Sequence, residues 1–209
     1  MTLNGANVRW WNDQSKYGNN IGIAATSAQP LWNTTTNSID FDGIAEQLDV
    51  PQAIWGSDLE GTWYLRFKDL EGTGVLNVQL DFGIGSGTDR FSMQMLTSDK
   101  YRLNVRYTGI QAHGDFPNAI TRSAFTSIIA KSLTASYFAS ENGSSLGTPA
   151  PNNNGKWFGD MNELTGKKVM CGNATGSLYY SNAFKACVYV NRVTSTDEDV
   201  LMLDWMDTL

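Results

Sequence analysis

The residues that could carry chemistry are few and widely spaced. Retaining glycoside hydrolysis needs two carboxylates about 5 Å apart. None of the six glutamates lies in a Glu-x-Asp-x-x-Glu pattern that would set such a pair on one strand face. Glu60 and Glu71 stand in turn-like Asp-Leu-Glu-Gly stretches, and Glu198 belongs to a helix cap. His113 is the single histidine; it lies in Gly109–Pro117, which reads as a loop, and no Gly-x-Ser-x-Gly elbow presents a nucleophile to it. One histidine also makes a poor transition-metal site. Cys171 and Cys187 cannot build a disulfide framework and make a poor zinc site. Both stand in apolar, β-like runs and read as small buried thiols. The chain is therefore expected to be no enzyme and to need no cofactor.

Seven tryptophans point to recognition instead. An indole face stacks on a sugar ring, and it fills a sandwich core equally well. Trp63 and Trp205 fall in core-like patterns. Trp157, just after a long polar loop, is the candidate for an exposed binding residue, and Trp10 and Trp11 could face a glycan or a partner chain.

Charge narrows the partners. A net charge of −6 disfavours nucleic acid, whose phosphates need clustered Lys and Arg. Arg66, Lys68, Arg102 and Arg106 are scattered and read as a solvated strand face. No apolar run approaches the ~20 residues of a membrane span, and no charged-then-apolar secretion signal opens the chain. The sequons at Asn33, Asn142 and Asn173 then read as polar turns.

The elements that must position these residues are mostly strands. Ile39 and Phe41 alternate with Asp40 and Asp42; Leu76, Val78, Leu80, Phe82 and Ile84 alternate with Asn77, Gln79 and Asp81. Such alternation marks sandwich strands with one wet face. Phe91–Met95 and Tyr101–Tyr107 form a hairpin across Thr97–Lys100, and Leu133, Ala135 and Tyr137 form another strand. A long loop spans Ser140–Lys156, and final strands run near Lys168–Gly172 and Phe184–Asn191. Asp58–Thr62 recurs as Asp69–Thr73, two similar turns bracketing the strand from Trp63 to Phe67. Ser195 with Glu198 is a capping box that opens a helix over 195–207. Residues 1–37 read as an extended N-terminal segment, and 1–209 as one domain, an all-β, antiparallel two-sheet sandwich with a short C-terminal helix.

In this order, several stretches resemble the concanavalin A-like, laminin-G-like jelly rolls found in many phage and bacterial surface proteins. Trp11-Asn12-Asp13-Gln14-Ser15 with Gly18-Asn19-Asn20, then Gln29-Pro30 and Ile39–Gly43, resemble the family's opening. Tyr137 with Asn142-Gly143, and Cys187–Arg192 followed by Ser195–Glu198, resemble its close. Two departures stand out: only Met1–Val8 precedes the Trp-Asn-Asp segment, and Ala186 replaces a common acidic residue. The first leaves a sheet edge that a neighbouring chain could cover. The resemblance also implies a structural calcium, with Asp40, Asp42 and Asn142 as ligands; as turn-forming residues the same three need no metal.

The resulting expectation is a non-catalytic virion structural protein of a bacteriophage, a decoration, cement or tail-associated jelly roll. It would be made in the host cytoplasm and contact other virion proteins in many copies. The alternative is a lectin-like module for cell-surface glycan, and the third reading a glycoside hydrolase.

Overall fold

The computed structural model describes residues 1–15, 18–23, 25–50, 58–72, 75–83, 89–107, 110–161, 168–170 and 180–209. Among these, the chain forms β1 (Thr2–Asn4), β2 (Asn7–Trp11), β3 (Ile21–Gly22), β4 (Leu31–Asn33), β5 (Ser38–Asp42) and β6 (Leu48–Asp49). The central strands are β7 (Gly61–Asp69), β8 (Asn77–Gly83), β9 (Arg90–Met95), β10 (Lys100–Tyr107) and β11 (Ile110–Ala119). They are followed by β12 (Thr126–Ser132), β13 (Tyr137–Glu141), β14 (Ser144–Ser145), β15 (Ala150–Pro151), β16 (Lys168–Met170) and β17 (Ser181–Val190). Helix α1 (Thr196–Asp207) closes the chain.

The strands pair antiparallel into two layers. The back layer runs β4–β5–β17–β7–β12–β13–β14. The front layer runs β6–β16–β8–β9–β10–β11–β15. Strands β2 and β3 join them along one side, since β2 pairs with β4 and β3 with both β2 and β6. The N-terminal segment is thus a set of short strands sewing the two layers together.

The core lies between the layers, where Trp63, Leu65 and Phe67 of β7 and Phe184 of β17 share one apolar cluster with Leu80, Phe82, Phe91 and Leu103 of the front layer. Each large side chain removed from water there contributes roughly 1.5–3 kcal/mol. Strands β7 and β12 are covered on both faces. Behind them Tyr64, Ile129 and Ala186 pack against Met206 of α1. Double coverage explains the unbroken apolar run Ile128-Ile129-Ala130, which alternation does not detect. It also corrects the strand expected over Leu133–Tyr137: β12 ends at Ser132, Thr134 takes a positive φ of 68°, and β13 begins at Tyr137.

Helix α1 starts as its cap dictates. The Ser195 hydroxyl accepts from the Glu198 N–H, and the Glu198 carboxylate accepts from the Ser195 N–H. Its first turn carries Asp197, Glu198 and Asp199, where the helix dipole favours negative charge. Lys131 of β12 pairs with Asp199, and the Tyr64 hydroxyl donates to the same carboxylate at 2.7 Å. Trp205, read as a core residue, instead points outward and is 46% exposed.

Candidate functional site

The polar positions of four consecutive front-layer strands share one side of the layer, where Asp81, Ser92, Gln94 and Asn104 are buried and Arg90, Arg102, Arg106, His113 and Asp115 are partly exposed. Directly opposed residues of an antiparallel pair project to the same side, so the register defines rows. Asp81 of β8, Ser92 of β9, Asn104 of β10 and His113 of β11 form the middle row. Arg90 and Arg106 face each other in the row above, and Gln94, Arg102 and Asp115 lie in the row below. With strands about 4.8 Å apart and ~3.4 Å per residue, the grid is roughly 14 Å on each side. The opposite faces of the same strands carry Phe82, Phe91, Met93, Leu103 and Val105 into the core, so the rows cannot tilt without disturbing it.

Arginine forks order this surface. Arg90 donates through Nε and Nη2 to the two carboxylate oxygens of Asp81, at 2.8 and 2.7 Å. Arg102 grips both oxygens of Asp115 in the same way. Such two-point pairs fix the planes of both partners. Arg106 differs. It sits opposite Arg90 and has no hydrogen bond or ion pair among the described residues. His113 is half-buried, and its Nδ1 has no hydrogen-bond partner among the described residues.

The strand around His113 corrects the expected loop. Gly114 and Pro117 made the stretch read as irregular, yet it is part of β11, whose outer neighbour β15 pairs only at Gly114 and Asp115. Proline is tolerated in a strand with such a free flank. The alternation expected for β8 also breaks. A register shift between Val78 and Leu80 turns Asn77 inward. There its amide donates to Asp69 and accepts from Asn182 of the back layer. Asn77, Gln79 and Asp81, expected on a wet face, are all buried, whereas Leu76 is exposed. Ile84 lies outside the described residues.

The tryptophans singled out from the sequence do not join this surface. Trp157 is 0% exposed. Its ring packs edge-on against Phe91 at 4.9 Å, and its N–H donates to the Tyr189 hydroxyl at 3.3 Å. The polar loop before it folds back over the sandwich instead of presenting it. Trp10 and Trp11 are half-buried on β2. Gly22 lies so close beneath Trp10 that a β-carbon there would stand 2.2 Å from its ring. Trp11 and Trp32 line a cavity of about 130 Å³ beside Met1, Ile39 and Leu209. The Cys187 thiol is pushed up to about 12 by burial, which keeps it protonated and unreactive, while Cys171 lies outside the described residues.

The three residues proposed for calcium are not brought together. Asp40 and Asp42 lie on β5, four strand spacings from Asn142 at the end of β13, roughly 19 Å at about 4.8 Å each. Asp42 caps its own turn by accepting from the Ile44 N–H, and Asn142 accepts from Ser127 N–H. Beside Asp42 sits Glu46, whose carboxyl is raised to about 7 by burial, with Asp42 and Asp40 adding like charge. The unfolded chain would ionise this group near 4.5, so the folded state binds the proton more tightly. Stability is thereby lost as pH rises from about 4.5 to 7. Glu46→Gln should raise the melting temperature at pH 8 and leave it unchanged at pH 4, a gain of about 1 kcal/mol or less because Glu46 keeps contact with water. Equal effects at both pH values would refute this origin.

Arg90, Ser92, Gln94, Asn104 and Asp115 go unmarked in the sequence because each is, taken singly, an ordinary polar strand residue. The available signal was their alternation: Arg90-x-Ser92-x-Gln94 and Arg102-x-Asn104-x-Arg106 hold polar side chains at every second position of adjacent strands.

No family model matches this sequence, and no curated relative does. Solved structures do match in fold. The carbohydrate-binding module CBM40 of Ruminococcus gnavus IT-sialidase, bound to α2,3 sialyllactose, is 17% identical with a TM-score of 0.60, over 79% of this chain and 92% of that one. NanB sialidase from Streptococcus pneumoniae is 14% identical with a TM-score of 0.59, over 77% of this chain and 27% of that one. Trypanosoma rangeli sialidase is 11% identical with a TM-score of 0.65, over 98% of this chain and 33% of that one. The chain thus spans about a third or less of those two sialidases. The virion role and its many-copy partners draw no support from these neighbours. What the likeness establishes is the fold: a two-sheet antiparallel β-sandwich with a short C-terminal helix, of the jelly-roll-like kind seen in sialidases and their carbohydrate-binding modules.

Proposed function

We propose that this chain is a non-catalytic carbohydrate-binding module that takes an acidic glycan on the face made by β8–β11. The observation that carries the reading is Arg106, a half-buried guanidinium with no hydrogen bond or ion pair among the described residues, set opposite a second arginine. Like charges directly opposed across a ladder are unfavourable. Asp81 neutralises Arg90, and an anionic ligand would neutralise Arg106. Beside it the half-buried His113 ring, whose Nδ1 has no hydrogen-bond partner among the described residues, can meet a sugar hydroxyl, while Ser92, Gln94 and Asn104 are buried in the layer beneath. A guanidinium fork suits a carboxylate best, and one neighbour in fold is bound to a sialylated sugar. Binding rather than turnover fits the carboxylates present: Asp81 and Asp115 are each held at both oxygens by an arginine, so neither is left to act as acid or nucleophile.

Calorimetric titration with 3′-sialyllactose and with lactose tests this. The acidic sugar should bind at least about tenfold more tightly, and Arg106→Ala should remove about 1.5–3 kcal/mol, roughly 10- to 150-fold in affinity. Equal affinity for lactose, an unchanged Arg106→Ala variant, or no binding of either sugar would each overturn the reading.

A further inference from the structure

A helix that is apolar around its whole circumference is normally buried on all sides. Helix α1 is not of that kind, since five of its twelve residues are acidic, yet it carries large apolar side chains on two sides. Toward the sheet it turns Met206, with Met202 and Leu203 against the same cluster. Away from it Val200, Leu201 and Trp205 are 50%, 69% and 46% exposed. At 100° per residue these three share the outward arc with Asp197 and Asp204. Both aspartates are exposed, and neither has an ion pair among the described residues. Asp204 is also misplaced for an isolated helix. It stands near the C-terminal end, where the carbonyl dipole disfavours negative charge, and the last turn holds no basic residue.

We infer that the outward face of α1 is a docking surface for a basic amphipathic helix of another protein. Apolar side chains of such a partner would cover Val200, Leu201 and Trp205, and its lysines or arginines would complement Asp197, Asp204 and the helix end. Charge selects this occupant over two others. A second copy of the chain would set aspartate against aspartate, and an anionic bilayer would be repelled by the same residues. The surface lies behind the back layer and the polar grid on the front layer, so the inference does not rest on the glycan reading, and both faces can be filled at once.

The test uses the full chain and two labelled 14-residue amphipathic peptides, one of leucine and lysine, the other of leucine and glutamate. Fluorescence anisotropy should show the basic peptide binding with an affinity that falls as salt rises, and no binding of the acidic one. Leu201→Ser with Trp205→Ser, and separately Asp197→Asn with Asp204→Asn, should each weaken binding at least tenfold. Thr34→Lys with Thr35→Lys shifts the net charge by the same amount on an exposed turn and should have no effect. The inference is overturned if both peptides bind alike, if the helix variants bind as the parent does, if the threonine variant weakens binding equally, or if sedimentation shows a dimer that Leu201→Ser with Trp205→Ser dissolves.

Discussion

Replacing Asp69 with alanine should lower the free energy of unfolding by about 3–5 kcal/mol, read from the urea midpoint. Asp69 ends β7, and its carboxylate is fully buried against Arg122, whose side chain is 3% exposed. The arginine Nη1 donates to Asp69 at 2.6 Å and to the carbonyls of Gly72 and Val75 at 2.6 and 2.9 Å, while its Nη2 donates to the carbonyl of Leu96. Its Nε side faces Asp99 at 2.7 Å. One guanidinium thus ties together the turn after β7, the approach to β8 and the β9–β10 turn. Burial pushes the Asp69 carboxyl up despite the opposing pull of the Glu71 N–H, Asn77 and Arg122. Desolvation is therefore not fully offset, and the pair shows its value through what breaking it leaves behind. Without Asp69 the arginine keeps its charge in a dry site with one counter-charge fewer. The double variant Asp69→Leu with Arg122→Met removes both charges and should cost clearly less than the sum of the single replacements. Simple additivity would show that the contact contributes little as a pair.

Asp199→Ala should have an effect of similar size, about 3–5 kcal/mol, by a different route. Asp199 is the point where α1 is fastened to the sandwich. Lys131, almost fully buried, donates to it and to the carbonyl of Thr194, and the hydroxyls of Tyr64 and Thr194 each lie 2.7 Å from its Oδ1. Removing the carboxylate strands a lysine beneath the helix and unhooks two hydroxyls. Hydrogen exchange over residues 196–207 should accelerate before that of β9 and β10, because the helix rests on its own small apolar cluster, separate from the main core. Uniform acceleration throughout the chain would contradict a local role.

Period-2 alternation identifies β5, β9 and β10 directly, because each has one face in the core and one polar face. The capping box identifies α1 within one residue of its observed start. What escapes is whatever depends on a second layer of contacts. β12 is wetted on neither face, so its sequence has no alternation to read. β11 is marked as loop by Gly114 and Pro117, which its flank position permits. Trp157 and Trp205 exchange their expected settings: the ring of Trp157 is drawn in by Phe91 and Tyr189, and that of Trp205 is left on the outward arc of its helix. The polar grid is visible in the sequence only as spacing. That Arg90 meets Asp81 and Arg102 meets Asp115, leaving Arg106 over, follows from register, which no single strand encodes.

All three rows of that grid come from β8–β11, one uninterrupted up-and-down stretch of the chain. From Leu80 onward most alternate letters of this stretch build the core, and the letters between them build its polar side. The partly exposed members of the second set can therefore change independently: Arg106 or His113 can be exchanged while Phe91, Leu103 and Val105 keep the sandwich closed. A scaffold so divided behaves like a printing block with replaceable type, in which the partly exposed polar letters can be reset within one short stretch and with no change of fold.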